Sequence, residues 1–208
     1  MSFELTLEEG KYIVRLARRA AETYLTKRQI IKVPADAPSK FREKCGVFVT
    51  INSVHGDRHQ LRGCIGLPYP TTTLVKAVIE SAISSSVQDP RFTPMTADEL
   101  SQVVFEVSVL TPPEPVEVEK PQDYCNRIKV GRDGLIVERT YSKGLLLPQV
   151  PVELNWDEET FLCECCVKAG LQPDSWLLNG TKVYQFQAII FEETEPKGKI
   201  VRKEISKK

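Results

Sequence analysis

Apolar residues recur three or four positions apart at Ile13, Leu16, Ala17, Ala20 and Tyr24, behind the segment Thr6-Leu7-Glu8-Glu9. That spacing lines one helix face, and Thr6 with Glu9 three residues on has the form of a capping box. The pattern predicts a helix from about Leu7 to Leu25, with Arg15, Arg18, Arg19 and Glu22 toward solvent. Val33 to Pro38 is a loop, since its two prolines suit neither helix nor ladder. The period then changes to two. Cys45 to Val54 alternates and is rich in β-branched residues, His55-Gly56-Asp57 is a turn, and Arg58 to Gly66 returns as the second strand of a hairpin. Thr72 or Thr73 caps a helix that carries Leu74, Ala77, Val78 and Ala82 and runs to about Val87. Asp89 to Pro94 is a proline-braced turn, Thr96 opens a short helix, and Val103 to Thr111 alternates again as a strand.

The same order recurs further on. Leu135 to Arg139 and Gly144 to Val150 read as strands, Asp157 to Ala169 as a helix, Gln172 to Trp176 as a turn and Lys182 to Glu192 as a strand. Leu67-Pro68 falls opposite Leu147-Pro148, and Val104 to Leu110 opposite Gln185 to Phe191. The offset of roughly eighty residues is too long for a solenoid. The expected fold class is α+β, with two strand-strand-helix-helix-strand repeats sharing one barrel-like, largely antiparallel sheet and helices outside. The expected plan is a single domain over 1–195, with repeat one at about 45–111, a connector at 112–132 and repeat two at about 133–192, followed by a frayed, charged tail at 196–208.

Composition narrows the class. Of 208 residues, 41% are hydrophobic and 27% charged, as in a soluble globular protein. Lys+Arg and Asp+Glu are both 28, which argues against general nucleic-acid binding and reads the basic run on the first helix as a solvated face. No apolar run approaches the roughly 20 residues of a membrane span. Met1-Ser2-Phe3-Glu4 lacks the basic and apolar regions of a secretory signal, so the six cysteines are expected as reduced thiols in a cytoplasmic protein.

The densest chemistry lies in Leu61-Arg62-Gly63-Cys64-Ile65-Gly66. In a regular strand Arg62 and Cys64 share one face, and Leu61, Gly63 and Ile65 the other. A cation beside a thiol lowers its pKa, so Cys64 with Arg62 is a candidate nucleophile. The competing reading is a small residue packed at a tight strand end. In a regular strand His59 points to the face opposite Cys64, which disfavours a Cys-His dyad. Asp89 and Arg91 sit on the turn after the first repeat's helix, and Glu106 and Ser108 share a strand face. A carboxylate there is either solvated or paired, with Arg62 or Arg91 as the natural partner, and the pair is either structural or part of a site. Convergence of these groups on Cys64 suits acyl transfer, hydrolysis or anion binding. Gly144 stands near the place of Cys64 in the second repeat and Gln187 near that of Glu106, so the reactive groups are confined to the first. Cys163-Glu164-Cys165-Cys166 has no zinc spacing, no phosphate or dinucleotide loop is present, and neither a metal nor a cofactor is implied.

The hexapeptide, followed in order by Asp89-Pro90-Arg91-Phe92, Glu106-Val107-Ser108-Val109-Leu110, Asp133-Gly134-Leu135, Leu146-Leu147-Pro148-Gln149-Val150 and Lys168-Ala169-Gly170-Leu171, resembles the AMMECR domain family, which has members in archaea and eukaryotes. The resemblance implies a fold that agrees with the duplicated sheet. It brings Gln149 forward as an amide for the same cleft, beside its reading as a strand-end residue in water. It implies no established activity. It implies a pathway shared with radical-SAM and Memo-type proteins, the association of archaeal and bacterial relatives. Two functions follow: an enzyme with a cleft around Arg62 and Cys64, acting on a small molecule or modifying a macromolecule, or a non-catalytic module that binds RNA or a protein in translation, repair or transcription.

Overall fold

The computed structural model describes residues 4–56 and 58–205. The reading of Met1 to Phe3, the Asp57 end of the hairpin turn and the last three residues of the charged tail lie outside the described residues. The elements in chain order are α1 (Leu7–Lys27), β1 (Gly46–His55), β2 (Arg58–Leu67), α2 (Leu74–Val87), β3 (Val103–Leu110), β4 (Glu114–Pro115), α3 (Tyr124–Arg127), β5 (Gly134–Arg139), β6 (Ser142–Leu146), α4 (Gln149–Glu153), α5 (Glu158–Lys168), β7 (Lys182–Phe186), β8 (Ala188–Glu193) and β9 (Ile200–Lys203). They form two compact units, one holding the chain up to Leu110 together with Ile189–Lys203, the other Thr111–Ala188.

The first unit is built on a five-stranded sheet in the order β2-β1-β3-β8-β9, with α1 and α2 packed on one face. Its core follows from the two periods. Ile13, Leu16 and Ala17 on α1, and Ala77, Val78 and Ala82 on α2, meet Val47, Val49 and Ile51 on β1 and Phe105 and Val107 on β3. The capping box closes α1 as predicted: Glu9 Oε2 accepts the Thr6 N–H at 2.7 Å and Thr6 Oγ1 accepts the Glu9 N–H at 3.3 Å. Arg18 departs from its expected solvent position. It is only 7% exposed. Its guanidinium donates to Glu193 Oε1 at 2.6 Å and to the carbonyls of Leu100 (3.1 Å) and Val103 (2.7 Å), over the Phe105 ring. A helix period sees an arginine as polar and cannot register a buried carboxylate 175 residues away.

The second unit holds a four-stranded sheet in the order β4-β7-β5-β6, with Phe161, Leu162 and Cys165 of α5 packed on Leu135, Val137 and Val183. Asp157 caps α5, its Oδ1 accepting the Thr160 N–H at 2.8 Å, and Gly170 follows at φ +74°.

The expected single barrel-like sheet is therefore corrected to two open antiparallel sheets. The segment Lys182 to Glu192, read as one strand, breaks at Gln187. Its N–H donates to Thr111 Oγ1 and its carbonyl accepts the Thr111 N–H, both at 2.9 Å. Before the break β7 pairs with β5, and after it β8 pairs with β9. Two further corrections follow. The strand predicted to run to Val150 stops at Leu146, so Gln149 lies on α4 in the second unit. The segment read as a frayed tail contains β9, which pairs Ile200 with Glu193 and Lys203 with Ile190. The pairing order β2-β1-β3 of the first unit recurs as β6-β5-β7 in the second.

Candidate functional site

Strand β2 is an edge of its sheet, and the hexapeptide is where α2 and the following loop cover that edge. Gly63 permits the approach: a Cβ there would lie 2.1 Å from the Ser85 carbonyl oxygen of α2. Ser85 then works as a bridge. Its hydroxyl accepts the Ile65 N–H at 2.8 Å and donates to the Val49 carbonyl at 2.7 Å. Asp89, 4% exposed, takes the next position along the edge, with Oδ2 accepting the Cys64 N–H at 2.8 Å. Arg91 folds back on Asp89, donating from Nε (2.9 Å) and Nη2 (2.7 Å), and its Nη2 also reaches the Cys64 carbonyl at 3.4 Å. An edge strand's outward backbone groups need partners, and at Cys64 they come from a clamped aspartate and its arginine rather than from another strand, while Ser85 bridges Ile65 and Val49 within the β1–β2 ladder.

Arg62 does something other than expected. The ladder places Gly63 opposite Ile51 and Leu61 opposite Asn52, so Arg62 is the extra residue of a β-bulge. Its guanidinium grips Glu99 (Nε to Oε2 at 2.7 Å, Nη2 to Oε1 at 3.2 Å) and the Thr93 carbonyl (2.9 Å). The bulge also breaks the regular alternation. Leu61 and His59 pair with Asn52 and Val54, on the same face as Cys64, so neither lies on the face predicted for it.

That face carries a polar row. Thr50 is opposite Cys64 on one side and Glu106 on the other. The Thr50 hydroxyl donates to Cys64 Sγ at 3.3 Å. Glu106, 3% exposed, is held by Lys203 at 2.7 Å, and the same ammonium reaches Glu192 at 3.3 Å. The expected partner of Glu106, Arg62 or Arg91, is thus replaced by a lysine from β9. Ser108 is buried two residues along β3. Thr50, Ser85, Glu99 and Lys203 were missed in the sequence. Thr50 sits in an ordinary β-branched strand, and Lys203 in a stretch whose composition reads as a tail.

Burial pushes the half-buried Cys64 thiol above its ordinary value, and the Thr50 hydrogen bond lowers it against that. Among nearby charges Glu106 and Asp89 raise it and Arg91 lowers it. Arg62 is not the cation that acts on Cys64. The Arg91 hydrogen bonds hold the Asp89 carboxyl down to about 2 against burial, with help from the Cys64 and Arg91 N–H groups. A depressed carboxylate contributes stability that is complete above its unfolded value of 3.8 and is lost as pH falls through about 2. The difference corresponds to about 2 kcal/mol. Asp89→Asn is expected to lower the urea-unfolding free energy by about that much at neutral pH, with the gap from wild type closing between about pH 4 and pH 2. A gap independent of pH in that window contradicts the assignment.

Among the described residues no three His, Cys, Asp or Glu side chains group as metal ligands would, and no helix is long and apolar enough to cross a membrane.

The AMMECR1 family model matches residues 14–191. A protein of Thermofilum pendens is 54% identical over 205 residues, with 96% of each chain covered. Protein MJ0810 of Methanocaldococcus jannaschii is 50% identical over 201 residues, covering 97% of this chain and 98% of that one. The crystal structure of the uncharacterized protein PH0010 from Pyrococcus horikoshii superposes with a TM-score of 0.94 at 54% identity, over 97% of this chain and 100% of that one. A family match that contains the hexapeptide, the Asp89–Arg91 clamp and every strand up to β8, joined by relatives of at least half-identical sequence over nearly full length, has one consequence: the chain belongs to the AMMECR1 family.

Proposed function

We propose that Cys64 is the reactive centre of an enzyme or covalent carrier in the cytoplasm, acting on a small molecule or modifying a macromolecule. The observation that carries this is the row Cys64, Thr50, Glu106, Lys203 on one sheet face. A buried carboxylate and its lysine are a costly way to stabilise a sheet, since apolar residues of similar size would serve as well. The second unit supports the point. Matching the pairing orders aligns Gly63 with Gly144, each pressed against a helix backbone, and places Ile136, Leu145 and Tyr184 where the first unit has Thr50, Cys64 and Glu106. Under this reading the Cys64 thiol loses its proton to a base, with Glu106 the carboxylate across Thr50 on the same face, the thiolate adds to a carbonyl carbon as the C=O π pair moves onto oxygen, and Arg91 fixes the strand that carries Cys64.

The matching helix residues, Ser85 and Cys165, aim at corresponding strand carbonyls, Val49 and Leu135. This supports an internal duplication whose first copy became specialised, with Leu145 and Tyr184 replacing the earlier matches Gly144 and Gln187. The radical-SAM and Memo-type association finds no support in the names of the relatives above.

The raised thiol favours a second reading, the non-catalytic interaction module, because a protonated Cys64 is a weak nucleophile at neutral pH. Alkylation of the folded protein with iodoacetamide, mapped by peptide, separates the two. The site reading expects Cys64 to react in the native state with a rate still rising above about pH 9, and Thr50→Val, which removes the stabilising hydroxyl, to slow it at every lower pH. Protection of Cys64 until global unfolding contradicts the site reading and leaves the contact module.

A further inference from the structure

The loop that clamps β2 ends in Phe92, and two guanidinium groups gather at its ring. The Cζ atoms of Arg62 and Arg91 lie 5.9 and 5.5 Å from the ring centroid. Each arginine spends the Nε and Nη2 side of its fork on protein: Arg62 on Glu99 and Thr93, Arg91 on Asp89 and the Cys64 carbonyl. Neither Nη1 has an acceptor among the described residues. The Arg91 side chain is 46% exposed although its partner Asp89 is buried. A guanidinium fixed on one side by a carboxylate leaves Nη1 as a positioned, positively charged N–H donor that an oxyanion can accept from.

We propose that the substrate of the Cys64 site carries an anionic oxygen group, carboxylate or phosphate, received by the open Nη1 of Arg91 with Arg62 as the second cation at the Phe92 ring. The proposal rests on the thiol-site reading above and names its substrate class. Each cation here is matched by a carboxylate, Arg91 by Asp89, Arg62 by Glu99 and Lys203 by Glu106. The long-range field is therefore weak, and selectivity comes from short, directed N–H donors. Arg91 touches the Cys64 backbone and its charge acts on the Cys64 thiol, so an anion on Nη1 is held beside the residue that carries Sγ. The clamp thus has two uses: it holds the edge strand and leaves one side of its arginine for a ligand.

Two alkylating reagents of nearly equal size test this, iodoacetate with a carboxylate and iodoacetamide without one. Their rate ratio at Cys64 of the folded protein is compared with that of mercaptoethanol in the same solution. The expected result is a ratio about 10-fold more favourable to iodoacetate at Cys64, falling as salt is added and lost in Arg91→Gln. The salt series on the unaltered protein gives the same readout if Arg91→Gln loosens the clamp. A ratio equal to that of mercaptoethanol overturns the proposal while leaving the thiol site standing, as does a raised ratio indifferent to both salt and Arg91→Gln. Absence of reaction with either reagent before unfolding overturns the thiol site and the proposal with it. Competition distinguishes the ligand classes: slowing of iodoacetate by inorganic phosphate alone assigns phosphate, slowing by acetate assigns carboxylate, and slowing by neither counts against an anion site.

Discussion

Gly63→Ala is expected to cost more than about 4 kcal/mol and to leave little folded protein. The added Cβ would stand 2.1 Å from the Ser85 carbonyl oxygen and 3.1 Å from its carbon, atoms of helix backbone that no rotamer change can move aside. Relief requires α2 to withdraw from β2. Withdrawal stretches the Ser85 bonds to Ile65 and Val49 and pulls Asp89 off the Cys64 N–H, so one methyl group undoes the whole edge cover. Gly56→Ala is the matched control. Gly56 has φ +61° with nothing within 4 Å of an added Cβ, so alanine there meets only the left-handed backbone cost, about 1 kcal/mol. Urea unfolding of the two variants reads the difference directly. A Gly63→Ala protein within about 1 kcal/mol of wild type would mean that α2 does not depend on this contact.

The second large effect lies at Arg18. Its guanidinium and the Glu193 carboxylate, 2% exposed, form a two-pronged pair that also holds the Leu100 and Val103 carbonyls and the Phe105 N–H. Arg18→Met leaves a buried carboxylate with one backbone donor and is expected to destabilise by about 3–5 kcal/mol. Adding Glu193→Leu removes the stranded charge, so the double variant should be more stable than the sum of the single changes predicts. It should still fall short of wild type, because three backbone groups lose their partners. Strict additivity in the cycle would show that the two side chains do not act on each other.

Much of this architecture was legible as period and punctuation. The capping box at Thr6, the hairpin of β1 and β2, the α2 face and the cap of α5 at Asp157 all rest on interactions within a few residues of chain, which is the range a sequence pattern reports. The site was legible in part. Cys64, Asp89, Arg91 and Glu106 belong to one unit, and Asp89 and Arg91 bond to the Cys64 backbone. Arg62 was assigned the wrong task because a bulge is invisible to alternation: it adds one residue and reverses the faces of Leu61 and His59. Gln149 was placed on a strand that the chain replaces with a helical turn after Pro148.

By itself the sequence determined the local elements, the antiparallel hairpins, the family and the group of polar residues worth testing. The tertiary structure alone decided that the sheets are two, that Arg18 is buried, that β9 brings Lys203 to Glu106, and that Arg91 rather than Arg62 is the cation at Cys64. The physical reason is common to all four. Each depends on partners brought together across scores of residues, where pairing of backbone edges and satisfaction of buried charges outweigh the local pattern.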